Sequence, residues 1–312
     1  MATGDNNNQA ARSYTKQFRE LLQAVFAEQS YFGDFFVGGL EALDGIQHKD
    51  TAFSVKTCDI PCVITHGTVG AQGATGAYDT GANVAFGTGT GNSTRFGERT
   101  EIIYEDVDVK YSWDYVFHEG IDRHTVNNDF DAAVADRLDL QAQKKVAMFN
   151  AHNGKFISDN AEEDIDDYAA ITKDNVCEVF NQLHKYYVNL GAVGTKVAKV
   201  TSDVYAAIVD TGLMTTAKNG TVSENEQIVN KFKGFEIEEV PEDMFQEDEV
   251  IYTYVTGIGK AFTGIETART IESEDFDGVA LQGAGKAGEF VLNDNKAAIA
   301  KVTLTPSGAT GA

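Results

Sequence analysis

Residues whose type and spacing could do chemistry are few in this chain. The most specific pattern is Gly283-Ala284-Gly285-Lys286-Ala287-Gly288, which fits the GxGxxG form of dinucleotide sites. That chemistry needs a helix directly after the glycines, so that the helix N-terminus can hold a pyrophosphate. Here Glu289-Phe290-Val291-Leu292 follows, a strand-like run, and too little chain remains for a βαβ unit. A phosphate-binding loop at Gly285-Lys286 fails as well, because Ala280 stands where a glycine is required and Ala287 where Ser or Thr is required. The plain expectation for this stretch is a strand–turn–strand hairpin.

Other catalytic constellations fare no better. Cys58, Cys62 and Cys177 are odd in number and widely spread, which argues against a disulfide framework and a zinc site. They read as small half-buried residues in a reduced compartment. His48, His66, His118, His124, His152 and His184 form no HExxH or similar pair, and no Ser or Cys stands in a GxSxG-type motif. With 48 acidic residues, two carboxylates close enough for glycosidase-like work are expected by chance. The acidic runs Asp159–Asp167 and Glu236–Glu249 lack the ordered spacing and glycine of a calcium loop and read as solvated faces. Asn92-Ser93-Thr94 is a glycosylation sequon, irrelevant without a secretory route. No catalytic, metal or cofactor-binding residue is therefore expected.

The chain has 312 residues and a formal net charge of −23. The length allows about two domains and a substantial core. The charge opposes tight nucleic-acid binding, although a protein that surrounds DNA without gripping it is allowed. No run approaches the ~20 apolar residues of a membrane helix, and the polar N-terminus lacks a secretory pattern, so cytosolic synthesis without a membrane partner is expected.

Any function must then come from how elements are presented. Residues 1–16 read as a flexible arm, followed by a helix with Phe18, Leu21, Leu22, Val25 and Phe26 on one face. Tyr31, Phe32, Phe35, Phe36 and Val37 come next; so much aromatic surface must be covered by the chain's own domain or by a neighbouring subunit. Residues 52–65 read as a strand, with Pro61 marking an edge or bulge. Residues 102–118 give the clearest strand signal: Val107, Val109, Tyr111, Trp113, Tyr115 and Phe117 lie against Asp106, Asp108, Lys110, Ser112 and Asp114, a strict period of two over eleven residues that could extend ~36 Å as one long strand. Between these strands, Gly67–Gly97 holds nine glycines in 31 residues, and Asp79 is the only charge from Ile60 to Thr94. A solvated linker would carry more charge. The segment reads as the tip of a two-stranded projection; isolated hairpins are marginal in water, so another chain should prop it.

A long helix is expected over 129–150, capped by Asn128 or Asp129, carrying a stripe of Phe130, Val134, Leu138, Ala142, Val146 and Phe149, with Lys144 and Lys145 near its end and Gly154 as a breaker. Further helices are expected over 172–190, stopped by Gly191, and after Ser202 or Asp203, with strands at 196–201, 235–240, 250–256, 279–281, 289–292 and 299–304. The mixture is α+β without regular βαβ alternation.

This order of elements resembles the major capsid proteins of tailed bacteriophages, which share the HK97-like fold. The C-terminal run Phe276-Asp277-Gly278, Leu281-Gln282-Gly283 and Phe290-Val291-Leu292 looks like the closing segment of capsid proteins from phages of Gram-positive hosts. The resemblance implies an N-terminal arm at 1–45, an extended E-loop with its strands at 46–118, and a P-domain with a spine helix at 119–169 and 266–305. It implies an A-domain at 170–265 and a flexible tail at 306–312. It implies hexamers and pentamers of this chain tiling an icosahedral head around double-stranded DNA bound without sequence specificity. A separate scaffolding protein and a portal would be partners, the virion the location, and the host bacterial cytoplasm the place of assembly. In the family the E-loop lies over a neighbouring subunit. Tyr78, Phe86, Arg95 and Phe96 of the loop, with Phe32, Phe35 and Phe36 of the arm, are accordingly the candidate inter-subunit contacts. Some relatives crosslink a loop lysine to an asparagine; no lysine lies between Ile60 and Thr94, so that chemistry is not carried over. An encapsulin-like compartment shell, an acidic soluble hydrolase, and a phage tail or decoration protein are the competing readings.

Overall fold

The computed structural model describes residues 29–43, 51–58, 102–126, 130–211, 222–223, 228–229, 231–264 and 267–305. Its first strands are β1 (Phe36–Ala42), β2 (Thr51–Thr57), β3 (Glu105–Lys110) and β4 (Trp113–Asp122). Helix α1 (Phe130–Asp159), β5 (Glu163–Tyr168), α2 (Val176–Leu190), β6 (Lys196–Val200) and α3 (Ser202–Asp210) follow. Then come β7 (Val222–Ser223), β8 (Ile228–Val229), β9 (Lys231–Phe232), β10 (Phe235–Glu239), β11 (Glu249–Val255), β12 (Gly259–Thr263), β13 (Thr267–Glu272) and β14 (Gly278–Val291). A short α4 (Asn293–Lys296) and β15 (Ile299–Leu304) close the described chain.

Two sheets dominate. The six-stranded sheet runs β5-β15-β11-β6-β10-β9. Its residues alternate between two cores, as strand geometry requires. Ala198, Val200, Ile251, Val255, Ala300 and Val302 face Val176, Phe180, Leu183 and Tyr187 of α2 and Val204 and Ile208 of α3. Val197, Tyr252, Tyr254 and Ile299 face the other way, toward Ile157 of α1 and toward Phe32, Phe35 and Phe36. Helix α2 ends where Gly191 takes φ +69° and its N–H returns to the Tyr187 and Val188 carbonyls, as the glycine stop predicts.

The five-stranded sheet runs β1-β12-β14-β13, with β4 on the other edge of β14. β14 is a single 14-residue strand, so the expected hairpin at Gly283–Gly288 is overturned. Cross-strand pairing gives the reason: Gly285 sits opposite Tyr115 and Gly288 opposite Phe262. A Cβ would meet those rings at 2.4 and 2.7 Å, so these glycines make room for aromatics and build no turn.

The alternation within 102–118 also resolves differently. The chain breaks at Tyr111-Ser112 into β3, which among the described residues pairs only with β2, and β4, which pairs with β14 throughout. β2 and β3 form a separate two-stranded stalk. Trp113 and Tyr115 lie on the face of the five-stranded sheet that meets Phe149 of α1, whereas Phe53 and Tyr111 pack on Phe262 of the opposite face. Alternation therefore continues on paper while the chain crosses from one face to the other.

Helix α1 is longer than expected. It runs through Gly154 to Asp159, so Lys144 and Lys145 lie mid-helix. Gly154 is a point of close approach: a Cβ there would sit 2.2 Å from the Met244 carbonyl oxygen. The expected helix at 18–26, Pro61, and the caps Asn128 and Asp129 lie outside the described residues. Among the described residues no helix is long and apolar enough to cross a membrane.

Candidate subunit–subunit interface

Helix α1 spans 30 residues, about 45 Å at 1.5 Å per residue. Its buried residues, Asn150, Asn153, Gly154, Ile157 and Ser158, all fall in the C-terminal third. From Phe130 to Phe149 every residue is exposed or half-buried. A helix is stabilised mainly by covering an apolar face, and among the described residues little covers the first five turns of this one. Between that half of α1 and β4 runs a groove of about 640 Å³, lined by Phe117, Leu138, Leu140 and Met148. On the opposite face of β4, Val116 is 80% exposed. At the rim, Arg137 donates from Nε to Glu119 Oε2 at 2.6 Å and from Nη2 to Oε1 at 2.7 Å, and Gln141 adds a third donor at 2.7 Å. The Arg137 guanidinium holds the Glu119 carboxyl below its ordinary range.

The stalk is the second part. Its strands pair Ser54 with Asp108 and Lys56 with Asp106, and Lys56 Nζ lies 3.7 Å from Asp106 Oδ1. Phe53 anchors the root against Phe262 and Phe290, with ring centroids 5.2 and 6.0 Å apart. Just before β3, Ile102, Ile103 and Tyr104 are 59%, 56% and 66% exposed. Three consecutive exposed apolar residues are unusual unless something covers them.

A third feature fixes the start of the described chain. Asn150, almost fully buried on α1, accepts from the Tyr31 N–H at 3.1 Å and donates to the Gln29 carbonyl at 2.6 Å. Lys199, 1% exposed, lies 3.2 Å from Asp34 and in contact with Glu238, tying this segment to β6 and β10. The Tyr254 hydroxyl donates to Asp34 at 2.8 Å, and burial pushes that phenol well above its ordinary value.

Against this geometry the expected contacts divide. Phe32, Phe35 and Phe36 are 0%, 0% and 5% exposed, inside the chain's own core against Tyr252, Phe156 and Tyr254. As surface contacts with a neighbour they are corrected: three rings next to a 3-10 turn (Gly33–Phe35) fill the space between α1 and the six-stranded sheet, so the own-domain reading holds. Tyr78, Phe86, Arg95 and Phe96 lie outside the described residues. Sequence reasoning did not mark Val116 or Ile102–Tyr104 as contacts, and read Leu138 only as part of the α1 stripe. The signal was present at Val116, an apolar residue on the otherwise polar side of the β4 alternation between Asp114 and His118.

No family model and no curated protein sequence matches the chain. Solved structures do. A subunit of the capsid of the cyanophage P-SCSP1u superposes with a TM-score of 0.67 over 94% of this chain and 93% of that one, at 11% identity. One from the mature capsid of bacteriophage PhiM1 gives 0.63 over 92% and 91%, also at 11% identity. One from Mycobacterium phage Che8 gives 0.59 over 93% and 96%, at 13% identity. The chain has a phage capsid fold. It is the α+β, HK97-like architecture, and the likeness extends over nearly the whole chain. Within this capsid fold, the stalk, the first half of α1 and the groove beside β4 are surfaces that the described residues leave largely without cover.

Proposed function

We propose that this chain is a tailed-phage major capsid protein, a structural subunit that assembles into hexamers and pentamers of an icosahedral head around double-stranded DNA. The observation that carries the reading is the end-to-end match to capsid subunits, above 90% of both chains in three cases. The chain's own surfaces support it. A stalk hydrogen-bonded to neither main sheet, and a long helix whose first half the described residues leave largely uncovered, both suit a neighbouring copy. In this reading the E-loop above the stalk, with Tyr78, Phe86, Arg95 and Phe96, crosses onto the next copy and covers its α1–β4 groove.

The mechanism is many modest contacts closed by symmetry. A standard specific interface buries about 1,600 Å². In a shell each subunit makes several, so none need be strong alone. The charge of −23 keeps the wall from gripping the DNA backbone inside it. A separate scaffolding protein, a portal and assembly in the host cytoplasm belong to the same proposal. Electron microscopy of the purified protein tests it: closed icosahedral shells or capsomer rings are expected, and tubes, surface trimers or a small monomer with a deep cleft would refute it.

A further inference from the structure

Glu289 is 8% exposed on β14 and accepts from the Trp113 indole N–H at 2.8 Å. Burial raises its carboxyl above the ordinary value. A buried charge that contributed only packing would be better replaced by an apolar side chain. What this one contributes is a fixed acceptor for one indole. Trp113 is also stacked on His152 of α1, with centroids 4.0 Å apart and planes at 6°, and set edge-on to Phe149 at 4.8 Å.

The position of this ring matters because of where it lies. Trp113 is the first residue of β4, directly after the break at Tyr111-Ser112 where the stalk leaves the body. The Ser112 N–H bonds the Ala287 carbonyl at 2.9 Å. On the other face of the sheet Tyr111 packs on Phe262 and over Gly264, where a Cβ would be 2.8 Å from the ring. β3 thus leaves the body beside two aromatic residues packed on opposite faces and separated by one serine.

We propose that Trp113 is the positioning residue of the stalk, and that Glu289 is retained to lock its indole so that the stalk leaves the body at one angle. The proposal rests on the capsid reading for its purpose, since a stalk that must reach a neighbour needs a defined direction.

Two substitutions separate positioning from stability. Glu289→Gln keeps an oxygen acceptor for the indole and removes the charge; Glu289→Leu removes both. Hydrogen exchange on the unassembled subunit is the first readout. For Glu289→Leu, amides of Glu105–Lys110 and Ser112 should exchange at least tenfold faster, with β11 unchanged; for Glu289→Gln all should stay within twofold of the parent. Trp113 is the only tryptophan, so its fluorescence should shift to the red in Glu289→Leu alone. Should Glu289→Leu fail to fold, Trp113→Phe, which keeps a ring and loses the donor, should give the same local acceleration. Equal stalk exchange in the parent, Glu289→Leu and Trp113→Phe would overturn the proposal. Shell yield is the second readout: at least a tenfold loss is expected for Glu289→Leu and none for Glu289→Gln. A parent that forms no shells would count against the capsid reading, and the exchange data would still decide the role of Trp113.

Discussion

At Gly154, helix α1 passes so close to the Met244 carbonyl that one methyl group decides stability. By type the residue reads as a helix breaker; by position it is a contact. Gly154→Ala gains about 1 kcal/mol of helix propensity and forces overpacking that costs about 1–3 kcal/mol. A net loss is expected, read as a lower urea midpoint at unchanged slope. Lys199 gives the electrostatic counterpart. It is fully desolvated while Asp34 and Glu238 stay partly exposed. Lys199→Ala would leave two carboxylates facing each other and should cost about 3 kcal/mol, seen as an early unfolding step that releases residues 29–36 to proteolysis. The two glutamates of the β4–β14 region should respond to pH with opposite signs. Glu119 is depressed by Arg137, so its contribution is present above the ordinary carboxylate value of 4.5 and lost as pH falls through the lower folded value. Glu289 is raised by burial, so stability falls as pH rises from 4.5 through its higher folded value. Thermal unfolding between pH 3 and 8 should therefore show a shallower acid limb in Arg137→Met, an effect of about 0.2–1 kcal/mol for a half-exposed pair. In Glu289→Gln the melting temperature at pH 7 should rise.

Elements differ in how far the sequence announced them. Helices α2 and α3 and strands β6, β10, β11 and β15 were legible because each covers a core with a clean period: Val176, Phe180, Leu183 and Tyr187 on α2, Ile251 and Val255 on β11. The two ends of β14 were legible as strands at 279–281 and 289–292, but its continuity was not, because its glycines are explained by rings on partner strands, Tyr115 and Phe262, far away in sequence. The β3–β4 break was hidden for a related reason: alternation records which side a residue takes, and the chain changes faces within one residue without disturbing the period. At the interface, the aromatic density of Phe32, Phe35 and Phe36 was visible but its owner was not, since composition does not say which chain supplies the cover. The groove was invisible because it joins β4 to a helix turn some twenty residues later. Its role has a direct test at this scale: Leu138→Glu should leave the subunit folded, with an unfolding midpoint within about 0.5 kcal/mol of the parent because the side chain is exposed. It should abolish shell formation; normal particles from this variant would remove the groove from the interface.

At the scale of the whole molecule, the described residues form a two-sheet body, a stalk, and a helix whose first half they leave largely uncovered. Deleting residues 67–97 should leave that body folded, with an unchanged far-ultraviolet spectrum, and prevent closure. The most direct measurement is cryo-electron microscopy of the purified, full-length protein after assembly. The account predicts closed icosahedral particles in which each stalk leads a loop onto the adjacent copy's α1–β4 groove. A folded protein that stays monomeric at high concentration, or shells in which that loop lies against its own subunit, would contradict it.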